Sequence, residues 1–425
     1  MKSIWDNTVA LDSYPTLDED ISTNVLVIGG GICGILCAYN LVMDGLNVIL
    51  VEQNKIAKQK TNKTTAVATI LQDNLYSEML NKVGFNKTKL FLDANLKAIQ
   101  EYKRLSLKYD FDLENCTSYK YTSSEFTKLK DEYDALKKLG IKCQIKKYND
   151  IKAIEVNNQV QFNPLKLIKN LSQVLKIYEN TKIIKIKNNI AYTLNNKIYA
   201  EHIIIATGYP FLKFKGHFFT KLYQKKSYVL ATDNKNFAKI NGVGINSNEI
   251  YFRTYKDFLL IGGNDSITGK NKTGFKPLYK FLKENFNNQL IYNQWINQDC
   301  HTLDYFPYVG VINKFNKHIY VSTGFNLWGM TGAMISSFVI KDIILNRKNN
   351  LIELLKPNRH LPISNRIKLL KNTFTNFFKI KTPRCSHLGC ALNYNESEKC
   401  YECSCHGSKF NKNGKIIEGP ANKNL

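Results

Sequence analysis

The stretch NVLVIGGGICGILCAYNLVMDGLNVILVE, residues 24–52, decides the fold of the N-terminal part of this 425-residue chain. It begins with a short apolar run rich in β-branched residues, passes through glycines into apolar residues at helical spacing, and ends in a second apolar run. Short apolar runs of this type fit buried parallel strands, and the spacing between them fits a helix packed on a sheet. The sequence therefore predicts a βαβ unit that opens an α/β domain.

Three glycines, Gly29, Gly31 and Gly34, form a G-x-G-x-x-G motif between the first predicted strand and the predicted helix. The first permits a tight turn, the second lets the backbone approach a pyrophosphate, and the third allows close packing of helix on strand. Glu52 ends the second predicted strand, where a carboxylate can accept hydrogen bonds from ribose hydroxyls. The motif alone could be an ordinary tight turn, but the order of strand, glycines, helix, strand and acid indicates a bound dinucleotide.

Three further segments indicate which dinucleotide binds. KIAKQKTNKTTAVAT follows Glu52, an ATG turn at 206–208 follows an apolar strand, and STGFNLWGMTGAM occupies 322–334. In these places the chain resembles the D-amino-acid-oxidase and glycine-oxidase family, over about residues 20–350. The resemblance implies FAD, with a helix predicted at 333–345 directing its positive end at the flavin pyrimidine. Besides the motif glycines and Glu52, it assigns these positions to the cofactor: Thr64, Thr65, Ala66, Thr207, Gly208, Gly324, Gly329 and Met330.

Ten cysteines are divided between two parts of the chain. Five are scattered through the first 300 residues, and five fall within 21 positions: Cys385, Cys390, Cys400, Cys403 and Cys405. A reducing compartment does not favour a disulfide framework, so such a cluster indicates metal or redox chemistry.

The clustered cysteines form two boxes, CSHLGC at 385–390 and CSCHGS at 403–408, with fifteen residues between His387 and Cys403. The boxes resemble the two ligand loops of Rieske proteins, which hold a [2Fe–2S] cluster. The resemblance assigns four ligands: Cys385 and Cys403 to one iron, His387 and His406 to the other. Neutral imidazoles in place of thiolates raise the reduction potential, to roughly −150 to +300 mV across Rieske centres. Cys390 and Cys405 match the pair that forms a disulfide in respiratory-type Rieske proteins, which points away from a ring-hydroxylating dioxygenase.

Three other interpretations of the cysteine cluster remain open. It could be a tetrahedral zinc site, with Cys400 as a further thiolate, a set of reactive thiols, or a decayed motif. The flanking Leu388, Gly389, Gly407 and Ser408 also match the Rieske boxes, and zinc would not require them. The residues before the first box are too few and too rich in lysine to supply all the strands that precede it in a full Rieske domain, so we expect a shortened module that needs to dock on the flavoprotein to be covered.

The predicted fold class is an α/β (α+β) FAD-binding Rossmann-like domain with an inserted antiparallel-sheet substrate domain, plus a small all-β Rieske cluster-binding domain. Amphipathic helices are predicted at 86–107 and 127–139. The predicted domains are: 1–350, the oxidoreductase, with FAD-binding parts at about 20–75, 180–225 and 300–350 and the substrate domain between them; 351–380, a linker; and 381–425, the truncated Rieske domain.

The formal net charge of +25 does not by itself indicate a nucleic-acid partner. The basic residues are dispersed and nearly all lysine, whereas nucleic-acid readers usually rely on arginine. The N-terminus lacks the apolar core of a secretory signal. The apolar stretch 25–42 contains glycines that break it into strand, turn and helix, so it does not predict a membrane span. We expect a cytoplasmic, soluble protein without a transmembrane segment.

Together the two resemblances imply a FAD-dependent oxidoreductase or dehydrogenase that oxidises a small amine or amino acid. A flavin accepts two electrons at once and a [2Fe–2S] centre accepts one, so the electrons would leave singly for an external acceptor, either a protein or a quinone. Two alternatives are a flavin-dependent RNA-modifying enzyme and a redox sensor without turnover.

Substrate contacts are the least defined part of the sequence. Arg253, the only arginine in the predicted substrate domain, is the candidate partner for a substrate carboxylate, with an exposed strand arginine as the alternative. His301 and Asp304 either line the site or fix its loop, and the second role is favoured. No catalytic residue is assigned.

Overall fold

Three β-sheets organise the part of the chain that the computed structural model describes, namely residues 1–73, 75–212, 215–234, 238–246, 249–270, 273–286, 290–361, 367, 369, 375, 377 and 383–425. The α-helices are α1 (Ile32–Met43), α2 (Tyr76–Val83), α3 (Phe85–Ser106), α4 (Phe126–Lys138), α5 (Pro164–Ser172), α6 (Lys276–Asn285), α7 (Gly329–Ile344) and α8 (Leu351–Leu355). Short 3-10 helices span Ile4–Asn7, Thr61–Lys63 and Phe218–Thr220. The strands are β1 (Ile21–Ile28), β2 (Val48–Val51), β3 (Val67–Ala68), β4 (Glu114–Thr122), β5 (Gln144–Tyr148), β6 (Ile151–Gln161), β7 (Lys176–Tyr178), β8 (Lys185–Lys187), β9 (Ile190–Tyr192), β10 (Lys197–Ile205), β11 (Leu222–Asp233), β12 (Ile240–Gly244), β13 (Tyr251–Tyr255), β14 (Phe258–Ile267), β15 (Ile291–Thr302), β16 (Tyr308–Val311), β17 (Ile319–Thr323), β18 (Leu392–Asn395), β19 (Cys400–Cys403), β20 (Lys409–Asn411) and β21 (Ile416–Glu418).

The first sheet is the predicted Rossmann-like sheet. Its order is β16-β17-β10-β1-β2-β7, with β1 parallel to β2 and β10, and β10 parallel to β17. Strand β2 is buried along its whole length, as a central parallel strand with helices on its faces should be. Helix α1 packs on α7, so the first βαβ unit meets the helix that follows the third predicted FAD segment. The predicted βαβ unit is confirmed.

The second sheet is the predicted substrate domain. Its order is β15-β11-β14-β13-β12-β4-β6-β3, with β5 on β6, and its pairs are antiparallel apart from β12 with β4. Helices α3 and α4 confirm the two predicted amphipathic helices to within one residue at each end. Helix α7 begins at Gly329, four residues before the predicted start, so Gly329 and Met330 belong to its first turn.

The third sheet belongs to a C-terminal module, residues 383–425. Its four antiparallel strands, β18 to β21, all follow Cys385, which agrees with a small all-β domain. Helix α8 lies in the segment predicted as a linker, and the predicted boundary at 381 falls outside the described residues. The domain boundaries therefore stay predictions.

The C-terminal module docks on one face of the second sheet. Successive side chains of a strand point to opposite faces, so Gln224 and Lys226 of β11 share one face with Gln298 of the neighbouring β15. Gln224 Nε2 donates to the backbone oxygen of His406 at 2.7 Å, and Gln298 Nε2 donates to that of Gly407 at 2.9 Å. The module is therefore covered by the rest of the chain, as the sequence predicted.

A buried ion network fixes this docking. Lys226 Nζ lies 2.8 Å from Glu398 Oε1 and 2.7 Å from Glu402 Oε1, and its side chain has no exposed area. Lys409 of the module also pairs with Glu398 and lies 3.7 Å from Glu402. Burial would raise the pKa of Glu398, but Lys409 and Lys226 lower it to about 2. Two buried carboxylates thus depend on one lysine from each side of the interface.

The apolar stretch 25–42, which the sequence did not predict to span a membrane, is divided between a strand and a helix. Residues 25–42 form β1, a glycine turn and α1, as expected. Within the described ranges, none of the helices combines the length and hydrophobicity needed to cross a lipid bilayer.

Replacing Lys226 with methionine should loosen the module, because Glu398 and Glu402 would keep only Lys409. Removing one partner of a buried ion pair costs about 3–5 kcal/mol. We expect a lower free energy of unfolding and faster hydrogen exchange in β19 of the full-length protein. The control is Lys130→Met, which breaks an exposed pair with Asp134 and should change neither. Wild-type exchange in Lys226→Met would contradict a docking role.

Candidate FAD cavity and iron–sulfur centre

A cavity of about 720 Å³ lies at the carboxyl ends of β1 and β10. Its volume falls within the range of about 300–1,000 Å³ that ligand sites occupy. Nine of the predicted cofactor positions line it: Gly29, Gly31, Glu52, Thr64, Thr207, Gly208, Gly324, Gly329 and Met330. Gly34, Thr65 and Ala66 do not. Segments distant in sequence therefore meet at the edge of the parallel sheet where nucleotides bind in such folds.

The turn between β1 and α1 requires its glycines. Gly29 has a φ of +115°, and a Cβ on it would lie 2.6 Å from the backbone oxygen of Ala206. A Cβ on Gly34 would lie 1.9 Å from the backbone oxygen of Gly29, so Gly34 supports the turn without reaching the cavity. Gly31 provides no capping side chain to α1, and the Ile32 N–H donates instead to Thr61 Oγ1 at 3.0 Å, so the first turn of the helix lies at the cavity wall.

Glu52 holds the same turn from the end of β2. Its carboxylate accepts hydrogen bonds from the backbone N–H groups of Gly30 and Asn54, both at 2.9 Å. Burial raises the pKa of Glu52, and these two hydrogen bonds oppose that rise. A carboxylate has about four acceptor positions, so it can still receive hydroxyl donors. Its predicted contact with ribose stays a prediction.

Two polar residues of the cavity were missed by the sequence analysis. Lys60 Nζ lies 3.6 Å from Asp299 Oδ1 and 3.3 Å from Gln224 Oε1. Burial would lower the pKa of Lys60, but Cys300 and Asp299 raise it above its usual value, so the ammonium keeps its charge. The Oδ1 of Asn297 is buried in the cavity wall and has no hydrogen-bond partner among the described residues. A buried polar atom left without a partner fits a cavity that receives a polar ligand such as FAD.

A second cavity, of about 1740 Å³, adjoins the first along β11 and β15. Tyr223 and Lys225 line it and pair across the strands with His301 and Asp299, so these four side chains share one face of the sheet. That face is opposite to the one on which the C-terminal module docks. Asp299 lines the FAD cavity and His301 the second cavity, so both cavities reach this face, while Gln224 on the opposite face also lines the FAD cavity.

The second cavity contains both signs of charge. Burial, followed by the neighbouring Asp73, raises the pKa of Asp265 to about 7. Burial and the nearby Lys225 and Lys60 hold the pKa of His301 well below its usual value, so this imidazole is neutral. The lysine side chain of Lys225 therefore lies near a neutral histidine and a carboxyl group whose pKa is raised to about 7.

Asp304 lines this cavity and also fixes its loop, the role the sequence analysis favoured. Its Oδ1 lies 2.6 Å from Arg359 Nη2, and its Oδ2 accepts from Arg359 Nε at 2.7 Å. This two-point geometry orients the loop.

Arg253 is not where the sequence analysis placed it. Its guanidinium is buried and donates to the backbone oxygens of Thr65, Ala66 and Phe162, the last two at 3.0 and 3.1 Å. It packs against the Trp5 ring and lines neither cavity. Arg253 thus supports the backbone of the predicted FAD segment, and the expected contact with substrate is corrected. The alternative of an exposed strand arginine is also wrong, because the side chain is 1% exposed.

The four predicted cluster ligands meet between the C-terminal module and the rest of the chain. The thiol of Cys385 contacts that of Cys403, and the rings of His387 and His406 are 5.0 Å apart between centroids. All four residues are buried. The structure therefore brings together two thiols and two imidazoles, the donor set of a Rieske centre.

The tautomer of His406 fits a metal ligand. Its Nε2 lies 2.9 Å from the backbone oxygen of Phe219, and an N–H at Nε2 would donate there. This hydrogen bond leaves Nδ1 as the acceptor nitrogen, and Nδ1 is buried without a hydrogen-bond partner in the described part of the chain. Ligating histidines usually hold their second nitrogen in this way. Gly407 allows the second ligand box to lie close to Gln224 of β11, since a Cβ on Gly407 would lie 2.6 Å from Gln224 Cβ.

The remaining cysteines separate into two groups. The Sγ atoms of Cys390 and Cys405 lie within 4.8 Å of each other and of Cys403, and both residues are free thiols here. The predicted disulfide between Cys390 and Cys405 therefore stays a prediction. Cys400 instead lies with Glu398 and Glu402, beside the two lysines of the ion network. The geometry thus gives Cys400 no place among the four ligands, which removes the further thiolate that the zinc interpretation invoked.

The C-terminal module also closes the FAD cavity. Residues 415–424, which include the EGPA segment at 418–421, form part of the cavity wall. The predicted cluster site and the predicted FAD site consequently share one boundary.

Changing Gly34 to alanine should prevent FAD binding, because the new Cβ would displace the backbone of Gly29. Flavin absorbance per chain and the melting temperature are the measurements. Gly45→Ala is the control: its Cβ would meet nothing within 4 Å, and only its φ of +86° opposes it. A left-handed alanine costs about 1–2 kcal/mol, so this variant should lose stability but keep FAD. Full flavin content in Gly34→Ala would contradict the expected geometry.

Changing Cys403 to serine should remove the cluster, whereas Cys400→Ser should keep it. Iron and zinc content, together with the EPR spectrum after dithionite reduction, are the measurements. Only the first substitution removes a thiolate from the four-ligand set. Loss of metal in both variants, with zinc in the wild type and no EPR signal, would instead support a zinc site.

Comparison with known proteins agrees with both halves of this geometry. The family model described as FAD dependent oxidoreductase matches residues 24–342, and the Rieske [2Fe-2S] domain model matches residues 366–425. A Bacillus subtilis (strain 168) protein, YhfW, whose name places it with Rieske 2Fe-2S iron-sulfur proteins, is 28% identical over 492 aligned residues, covering 100% of this chain and 97% of its own. The cytochrome b6-f complex iron-sulfur subunit of Synechococcus sp. (strain JA-3-3Ab) is 49% identical over 41 residues, which cover 10% of this chain and 24% of that subunit.

Solved structures show the same fold at low sequence identity. Glycine oxidase from Geobacillus kaustophilus superposes with a TM-score of 0.68 at 15% identity, over 80% of this chain and all of that chain. L-proline dehydrogenase from P. horikoshii superposes with a TM-score of 0.67 at 16% identity, over 80% of this chain and 98% of that chain. The chain belongs to the FAD-dependent oxidoreductase family and carries a C-terminal Rieske [2Fe–2S] domain.

Proposed function

We propose that this oxidoreductase is a dehydrogenase that oxidises a small amine or amino acid and delivers the electrons singly, through its [2Fe–2S] centre, to an external protein or quinone. The observation that carries the proposal is the shared boundary of the two redox sites: residues 415–424 of the Rieske domain form part of the FAD cavity wall. An oxidase that returns its electrons to oxygen would not need a second centre there.

The cofactors and the side chains divide the chemistry. When bound, FAD supplies a two-electron hydride acceptor, and the cluster supplies one-electron transfer. In amine oxidation the C–N single bond becomes C=N as a hydride leaves carbon, and two equivalents of a one-electron acceptor take up the electron pair. The task of the protein is to hold the amine carbon against the flavin and to exclude water.

The second cavity has the charges for such a substrate. Lys225 can pair with a carboxylate, a role that Arg253 cannot take because its guanidinium is bound to backbone oxygens. Asp265 can accept from an ammonium group, and its Oδ1 is buried without a hydrogen-bond partner among the described residues. The names of similar structures, L-proline dehydrogenase and L-amino acid deaminase among them, support amino acids as the class to test first.

The test is an anaerobic screen of amines and amino acids against the full-length holoprotein. Bleaching of the flavin spectrum reports substrate oxidation, and the EPR signal of the reduced Rieske centre reports onward transfer. We expect at least one compound to produce both in the wild type. In Cys403→Ser it should bleach the flavin without reducing an added one-electron dye.

Three outcomes would contradict the proposal in different ways. Bleached flavin with a cluster that never changes redox state would remove the electron route. No bleaching by any amine or amino acid, with RNA binding that falls steeply as salt rises, would favour an RNA-modifying enzyme. No turnover with any compound and dye would favour a redox sensor.

A further inference from the structure

Tyr209 lies between the FAD cavity and the imidazoles of the cluster site. It follows the ATG turn after β10 and lines the FAD cavity. Its ring centroid is 6.1 Å from that of His387 and 6.4 Å from that of His406, with interplanar angles of 79° and 75°. One buried ring of the flavoprotein thus meets both predicted histidine ligands edge-on.

The side of the cluster site formed by His387 and His406, here called the histidine edge, is buried against the flavoprotein. His387 is 5% exposed and His406 is 1% exposed. His406 is held on two sides by the flavoprotein, through its ring nitrogen to the Phe219 oxygen and through its backbone oxygen to Gln224. The ion network around Lys226 fixes the same docked position. While the domain is docked, a separate protein therefore cannot contact either imidazole.

From this geometry we infer that the electron partner at the histidine edge is the flavin of the same chain, and that Tyr209 is the residue that couples the two sites. The inference rests on the proposed function, because it names the route by which the electrons pass. An external acceptor must then take electrons from another side of the Rieske domain, or after the domain undocks.

The step involves one electron and no bond. When both groups are bound, FAD would supply two electrons in two separate transfers and the cluster would accept one at a time, passing each to the external acceptor. The proton of the reduced flavin would leave to solvent. Tyr209 is neither oxidised nor reduced. Its ring fills the space between the FAD cavity and the two imidazoles with packed atoms, and an empty space there would weaken the electronic coupling between the flavin and the cluster. It is a positioning residue, since it acts through the histidines.

The ring and the hydroxyl can be tested separately. The Tyr209 hydroxyl is buried and has no hydrogen-bond partner among the described residues, so no protein contact depends on it. Tyr209→Phe keeps the ring, whereas Tyr209→Leu removes it and leaves a gap beside both imidazoles. These variants form a matched pair.

The experiment uses full-length holoprotein without oxygen. A light flash in the presence of EDTA reduces the flavin, and the absorbance and freeze-quenched EPR of the cluster then give its rate of reduction, at measured flavin and iron content. We expect Tyr209→Phe to keep most of the wild-type rate. Tyr209→Leu should slow cluster reduction severalfold relative to Tyr209→Phe, because the gap it leaves has no packed atoms between the FAD cavity and the imidazoles. Equal rates in Tyr209→Leu and the wild type, at equal loading, would overturn the role of Tyr209.

A second variant covers the case in which Tyr209→Leu does not fold. Lys226→Met removes no side chain that lines the FAD cavity or belongs to the four-ligand set, but it loosens the docking, so it should also slow cluster reduction. A wild-type rate in Lys226→Met, with hydrogen exchange showing a loosened domain, would exclude the docked interface as the route. A wild-type cluster that stays oxidised after flavin reduction would overturn the proposed electron transfer itself, together with this inference.

Discussion

The alternation of side chains along β11 is the constraint on which the two redox sites depend. Because neighbouring residues of a strand point to opposite faces, Tyr223 and Lys225 face the second cavity while Gln224 and Lys226 face the Rieske domain. A register shift of one residue would exchange the two sets. Strand β15 pairs with β11 over most of its length and follows the same alternation. One pair of strands therefore carries residues of the second cavity on one face and contacts the docked Rieske domain with the other.

Burial of charge explains why the Rieske domain can be so short. Its four strands enclose little apolar material of their own, since the apolar residues buried in it are few and mostly cysteines. Small domains cannot reach stability from such a core alone. The ion network of Lys226, Glu398, Glu402 and Lys409 specifies the docked position, because any other position leaves buried charges without partners. Within the described part of the chain, the flavoprotein covers the second ligand box through Gln224, Gln298 and Phe219.

Local patterns in the sequence predicted most of the fold and the two cofactors. The glycine turn with Glu52 and the two ligand boxes are short segments whose chemistry does not depend on distant residues. The prediction for Arg253 was wrong for the opposite reason. Its strand was predicted, but the residues whose backbone oxygens it binds lie far away in the chain, namely Thr65, Ala66 and Phe162. Tyr209, Lys60 and Lys226 were missed because each acts across a contact between segments that no local pattern records. For Tyr209 a signal existed, since it directly follows the predicted turn at Gly208.

The wall formed by residues 415–424 bears on how the protein is assembled. In order of synthesis, this segment comes after every other residue that lines the FAD cavity. A nascent flavoprotein domain therefore offers an open cleft, which narrows only when the Rieske domain has folded and docked. The last segment to be synthesised is thus the one that narrows the FAD cavity, so folding and docking of the Rieske domain complete the flavin site of the domain that precedes it.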